Sequence, residues 1–266
     1  MDFLVIGSSI AFITYLLATI AILSRLFHPE GPNLKLALIF AGIAIITHFV
    51  NEVQLVFNQD VINFSLPNVI SLVSLIITIT ISVVALRSKV NLLLPVIYGF
   101  AGIWQLVLIF IPKAETMPLV AEKIILVSHI SVALVAYCIL IIATLYAFQV
   151  TYINMKLKNK NLTAVVHLPP LMQVERQLFN ILAVGTAALF VSELIGLFFL
   201  EGFLATENLH KTILSLVALC IYVIILFGHF KQGWRGHRVL VLIITASALL
   251  TLSYFGSRFV KEFLLS

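Results

Sequence analysis

Eight apolar stretches, each close to the length that crosses a bilayer, follow one another with only short polar connections between most of them: 3–26, 35–57, 67–86, 90–111, 121–150, 178–200, 211–230 and 239–260. About 20 consecutive apolar residues span the hydrocarbon layer as a helix. Within lipid the backbone must satisfy its own hydrogen bonds, so segments of this kind fold as helices. The sequence therefore predicts an all-α fold, a polytopic integral membrane bundle of about eight transmembrane helices forming a single transmembrane domain over 1–266. The composition, 62% hydrophobic and 10% charged, excludes an ordinary soluble domain, in which about 25% of residues are charged. The first stretch, MDFLVIGSSIAFITYLLATIAIL, has neither a basic n-region nor a small-residue cleavage site. It is expected to stay in place as a helix rather than leave as a signal peptide.

The net charge of +5 records orientation in such a chain. One set of alternate connections holds Arg25, Lys35, Arg87, Lys89, Lys156, Lys158, Lys160, Arg176, Lys231, Arg235 and Arg238, and the other holds Lys113, Lys123, Lys211, Arg258 and Lys261. The richer side is expected to be cytoplasmic, which leaves both termini outside, on the periplasmic side of a bacterial inner membrane. The acidic outer connection with Asp60 agrees. The expected surroundings are the lipid bilayer, and no nucleic-acid partner is expected. The long connection 154–176 ends in PLMQVERQLF, which reads as a short amphipathic helix on the membrane surface. No internal duplication is evident in the sequence. Cys138 and Cys220 lie inside apolar stretches without C-x-x-C spacing and read as small core residues.

Ionisable groups inside spans are expensive to bury and point to function. The stretch 128–147, SHISVALVAYCILIIATLYA, carries His129, with Ser128, Ser131 and Tyr137 nearby. His48 sits at a similar depth in the second span, and Glu193 does so in the sixth, each about 12–14 Å below the outer surface at 1.5 Å per residue. Glu52 lies one turn above His48 on the same face. Asn68, Ser71, Ser74 and Thr78 form a stripe spaced by three or four residues, fit either to pack helices or to hydrogen-bond a cofactor propionate or an ion. Two readings of His48 and His129 stand open on this basis. Either they ligate a planar metal complex between helices, as bis-histidine haem requires, or each ring hydrogen-bonds a carbonyl or Glu193. His229 ends the seventh span at the cytoplasmic side, and His210 opens it. His28, His167 and His237 fall in connections expected to be solvated.

Zinc is not expected, because its sites need three or four clustered ligands. No Gly-rich phosphate loop, nucleophile elbow or metalloprotease motif occurs, so the chain is not expected to be an enzyme.

Four segments, in order, resemble a known family of haem-handling membrane proteins, the cytochrome c assembly family of CcsA/CcmC type. SHISVALVAYCIL resembles its H-V-S-x-x-x-x-S-Y-A segment, FSLPNVISLVSL its P-L-S-N-x-x-E-S-L-x-F segment, and LPPLMQVERQLFNILAVGTAALFVSELIGLFF its L-P-S-L-x-x-L-D-x-L-x-Y-R segment. IYVIILFGHFKQGWRGHRVLVLIITASALLTLSYFG is similar to the segment running Y-L-H-T-R-x-x-x-G-W-x-G to Y-F-G. The fit is closest to the shorter HemX/YpjD-like branch. The resemblance implies a haem-facing role for His129, a transmembrane haem histidine at His229, and Trp234 at the tryptophan of the G-W-x-G motif. The tryptophan-rich external platform of the family has no counterpart in LEGFLATENLHK, and no histidine follows YFG. Haem is therefore expected inside the bundle rather than offered at the surface.

Together these readings make the chain a haem-binding inner-membrane protein of haem handling or cytochrome c assembly, which binds and delivers rather than catalyses. The cofactor expected is haem b, with its iron on His129 and His48. His229, Asn68, Ser71, Tyr137 and Trp234 complete the expected cofactor-binding set. Expected partners are haem and other cytochrome c maturation or haem-synthesis proteins. The alternative is an ion (divalent metal) transport protein or transport accessory, with Glu52, Glu193, Asn68 and the Ser/Thr stripe lining a path.

Overall fold

Helix punctuation follows residues that cannot continue a helix or readily begin one. In a computed structural model that describes residues 3–26, 28, 31–56, 65–87, 90–111, 124–160, 168–200, 203, 205 and 209–256, Pro67 and Pro95 stand in the first turns of α3 (Leu66–Ala85) and α4 (Leu94–Phe110). The missing N–H of proline costs nothing at that position. Before them come α1 (Phe3–Leu23) and α2 (Leu34–Val56), and after them α5 (Ile124–Lys158), α6 (Leu171–Phe199), α7 (Leu209–Gln232) and α8 (His237–Thr251), the last extended by a π turn at Leu252–Gly256. Seven of these helices are long and apolar enough to cross a membrane, and α4 is a shorter apolar helix. The all-helical membrane bundle read from the sequence is the fold observed among the described residues.

Two boundaries differ most from the sequence expectation. PLMQVERQLF does not form a separate surface helix: its residues from Leu171 onward are the first turns of α6. No proline or glycine stands between Leu171 and Gly185, so nothing breaks the backbone there. The fifth helix runs on to Lys158, 35 residues in all, or roughly 52 Å. The connections holding Asp60 and His167, together with Lys89, Lys113, Lys123, Arg258 and Lys261, lie outside the described residues.

The chain divides into two compact units, residues 1–121 with 160–169 and residues 122–159 with 170–266. In the first, α1 packs on α2 and α4, and α3 also packs on α2 and α4, closing a ring of four helices in chain order. The second repeats that order: α5 packs on α6 and α8, and α7 packs on α6 and α8. Close approach inside each unit depends on small residues. A Cβ on Gly102 of α4 would press on Tyr15 of α1, and one on Gly185 of α6 would press on Leu140 and Ile139 of α5.

The packing is inside out relative to a water-soluble bundle. Ile39, Ile46, Ile103, Val184 and Phe198 are exposed, whereas His48, Ser71, Thr78, Gln105, Gln149 and Ser192 are buried. Lipid accepts the first group as readily as a protein core does, but the second group needs hydrogen-bond partners. Cys138 is buried and Cys220 is exposed on α7.

Candidate functional sites in the two units

In the first unit all four helices send a polar side chain to one point. The Tyr15 hydroxyl of α1 lies 3.2 Å from Nδ1 of His48 on α2, and His48 Nε2 lies 2.9 Å from Ser71 Oγ on α3. Ser71 donates to Glu52 Oε1, and Gln105 of α4 donates from Nε2 to Ser71 Oγ across 3.1 Å. The protons can be assigned by counting donors. The single hydroxyl proton of Ser71 goes to the carboxylate, so His48 donates from Nε2, and in the neutral ring Nδ1 accepts from Tyr15. Both ring nitrogens are thereby occupied. His48 is fully buried, and its Nε2 also stands 3.5 Å from Glu52 Oε1, an i,i+4 pair on one face as the spacing predicts.

The stripe on α3 is buried along its length: Asn68, Ser71, Ser74 and Thr78 all face inward. Ser74 and Thr78 return their hydroxyls to their own helix, at Ser71 O and Ser74 O respectively. Ser71 alone of these hydroxyls joins α2 and α4. Tyr15 and Gln105 were not among the sequence candidates. Their only signal in the sequence was a polar group inside an apolar stretch.

The second unit holds His129, Tyr137, His229 and Trp234. His129, near the start of α5, donates from Nδ1 to the backbone carbonyl of Ser192 on α6 at 2.9 Å. Its ring meets Phe203 edge to face at 5.9 Å between centroids. Among the described residues no hydrogen bond engages Nε2. Glu193, next to Ser192 on α6, is buried and hydrogen-bonds Ser215, and among the described residues its Oε2 has no partner. Tyr137, two turns along α5 from His129, bonds Thr251 Oγ1 at 3.0 Å and packs on Tyr254 and Phe255 of the π turn.

At the other end of this unit the α7 terminus is capped by Gly233. Its φ is +67°, and its N–H bonds the carbonyl of His229 at 3.0 Å. A side chain would be strained in this left-handed conformation, which glycine adopts freely. The chain then turns so that His229 Nδ1 donates to Trp234 O at 3.1 Å, while Phe179 stacks on the imidazole. His229 lines a cleft of ≈ 550 Å³ with Met172, Phe179, Phe230, Arg176 and Arg235 among its walls. Arg235 pairs with Glu175 at 3.4 Å, and Arg238 lies over the Trp234 ring.

Gly228 makes this turn possible, because a Cβ there would fall on the Trp234 indole. Gly228→Ala is expected to push the indole out and to cost about 1–3 kcal/mol, the usual range for overpacking. In a Trp104→Phe background, Trp234 emission shifts to the red and the melting temperature falls. Unchanged emission and melting would contradict the packing described.

The chain matches the family model for cytochrome C assembly protein over residues 36–265. It is 38% identical over 255 residues to inner membrane protein YpjD of Escherichia coli (strain K12), covering 95% of this chain and 97% of that protein. It is also 31% identical over 141 residues, 52% of each chain, to an uncharacterized 28.8 kDa protein of Azospirillum brasilense. No solved structure matches.

Proposed function

The chain belongs to the cytochrome C assembly protein family, and from that membership we propose that this multi-pass protein of the bacterial inner membrane binds haem between the helices of its second unit, with His129 as an axial ligand. The observation that carries the reading is the tautomer of His129. Its Nδ1–H is fixed on Ser192 O, so Nε2 is the deprotonated nitrogen and carries the lone pair that iron needs. Histidine ligands of metals are typically held this way, with the second nitrogen on a carbonyl that sets the ring's direction. His229 is prepared in the same manner by Trp234 O and is the second candidate. Beside it, Arg176 and Arg235 supply cationic partners for propionates, and Phe179, Phe230 and Met172 supply apolar walls. Within the second unit Tyr137 and Trp234 remain candidate aromatic contacts for the cofactor.

His48 reaches iron only by exchanging one of its two hydrogen bonds, to Tyr15 or to Ser71, for the metal. Bound haem would bring its own redox and ligand chemistry, and this chain's residues would orient it and keep it in a dry site. Handling rather than turnover fits this set, with haem b as the cofactor or cargo and other haem-synthesis or cytochrome c maturation proteins as partners. Hemin titrated into the purified full chain is expected to give a Soret band distinct from that of hemin in detergent alone, with saturation at a fixed stoichiometry. A spectrum identical to the detergent blank overturns the proposal.

A further inference from the structure

The polar centre of the first unit holds more acceptors than donors. Among the described residues, Glu52 Oε2 and Gln105 Oε1 have no hydrogen-bond partner, although Glu52 is 3% exposed and Gln105 1% exposed. Each belongs to a side chain whose other terminal atom is already on Ser71 Oγ. Covalent geometry puts the second oxygen on the order of 2 Å from the first atom of each group, so both unpartnered oxygens lie within about 5 Å of one hydroxyl. A third such oxygen, Asn51 Oδ1, is next along α2, in a residue whose amide donates to Ser8. Ser71 itself is saturated, with two bonds accepted and one donated. Among the described residues no donor engages these oxygens.

Charge points the same way. Among the described residues of this unit, the Lys and Arg side chains are Arg25, Lys35, Arg87 and Lys160, and His48 Nε2, 3.5 Å from Glu52 Oε1, already serves Ser71. Lys35 and Glu52 are at opposite ends of α2, roughly 25 Å apart. Arg87 is 16 residues beyond Ser71, a comparable distance. A carboxylate and a carboxamide oxygen, buried in hydrocarbon without donors, are hard oxygen ligands of the kind that hold alkali and alkaline-earth ions. One carboxylate neutralises one positive charge. A monovalent ion therefore leaves the centre neutral, whereas a divalent ion leaves a net charge that the membrane interior penalises.

We propose that the first unit binds a small monovalent cation of the sodium type between α2 and α4, on Glu52 Oε2 and Gln105 Oε1, with the Tyr15–His48–Ser71 chain of hydrogen bonds fixing both side chains in place. The site is separate from His129 and His229, and its occupation does not depend on haem. A ligand that binds only the folded state raises the melting temperature as its concentration rises.

The test uses the purified full chain, melted in NaCl or in choline chloride at equal ionic strength, with parallel LiCl, KCl and MgCl2 series. Sodium is expected to raise the melting temperature by about 3 °C or more over choline, with lithium comparable and potassium and magnesium weaker. The sodium effect is expected to vanish in Gln105→Leu and in Glu52→Gln. Should Glu52→Gln not fold, Gln105→Leu carries the comparison, and the ²³Na linewidth of the unsubstituted protein reads occupancy directly. Equal melting in sodium and choline without sodium line broadening overturns the site, and means that the centre is neutralised by a proton alone. A sodium effect that survives both substitutions overturns the ligand assignment. A response to magnesium only, or to potassium equally, overturns the choice of a small monovalent ion.

Discussion

His129→Ala is expected to lower the haem bound by the purified protein at least about tenfold at equal hemin. Loss even of a group that merely orients a metal ligand costs 10–100-fold in affinity, so loss of the ligand itself costs no less. Most of the imidazole's surroundings survive the change, since Phe203 and the Ser192 carbonyl belong to other elements. Added imidazole should therefore restore much of the Soret band by occupying the vacated space. Rescue separates loss of a ligand from loss of the fold, and a variant that retains its haem content removes His129 from the iron. The same spectrum recorded for His229→Ala, whose ring is oriented by Trp234 O in the same unit, shows whether that histidine also contributes to the bound haem.

Ser71→Ala should be the most destabilising single substitution in the first unit. It removes one oxygen and strands three groups: the Nε2–H of His48, the Nε2 of Gln105 and Oε1 of Glu52. A side-chain hydrogen bond between membrane helices is worth about 0.6 kcal/mol on average, but an orphaned buried donor or acceptor costs about 1–3 kcal/mol. Three at once amount to a loss of about 3 kcal/mol or more. Ser74→Ala gives the contrast, because the Ser74 hydroxyl bonds a carbonyl of its own helix, and its removal should cost under about 1 kcal/mol. Thermal melting of the two variants in the same detergent checks the difference, and equal melting would mean that Ser71 is not the junction of the four helices.

The positions of the helices were legible in the sequence because in a membrane the hydropathy of a segment and its structure are nearly the same statement. Pairing across one or two turns was legible as well. His48 and Glu52 share a face because they are four residues apart, and the inward stripe of α3 follows from its spacing. Partners distant in the chain were not legible. Tyr15 and Gln105 meet the same centre from 33 and 34 residues away from their partners, and no periodicity encodes which residue of α4 faces which residue of α3. Depth counting brought His129 to the level of Glu193, yet the group that orients the ring is the backbone carbonyl of the preceding residue. Main-chain acceptors carry no residue identity to read. The shared order of the two four-helix rings was equally hidden, because it resides in packing rather than in repeated residues.

The shortness of α4 bears on the lipid around it. The helix has 17 residues, about 25 Å, against a hydrocarbon layer of about 30 Å. Its exposed apolar side chains, Val96, Phe100, Ile103 and Phe110, form a band shorter still. A helix that falls short of the layer draws the bilayer inward or gathers shorter acyl chains, at fractions of a kcal/mol per Å of mismatch. Helix α5, at roughly twice the length of α4, makes no such demand. The protein should therefore carry a thin collar of lipid on the α4 side, and its distribution among membranes should follow their thickness.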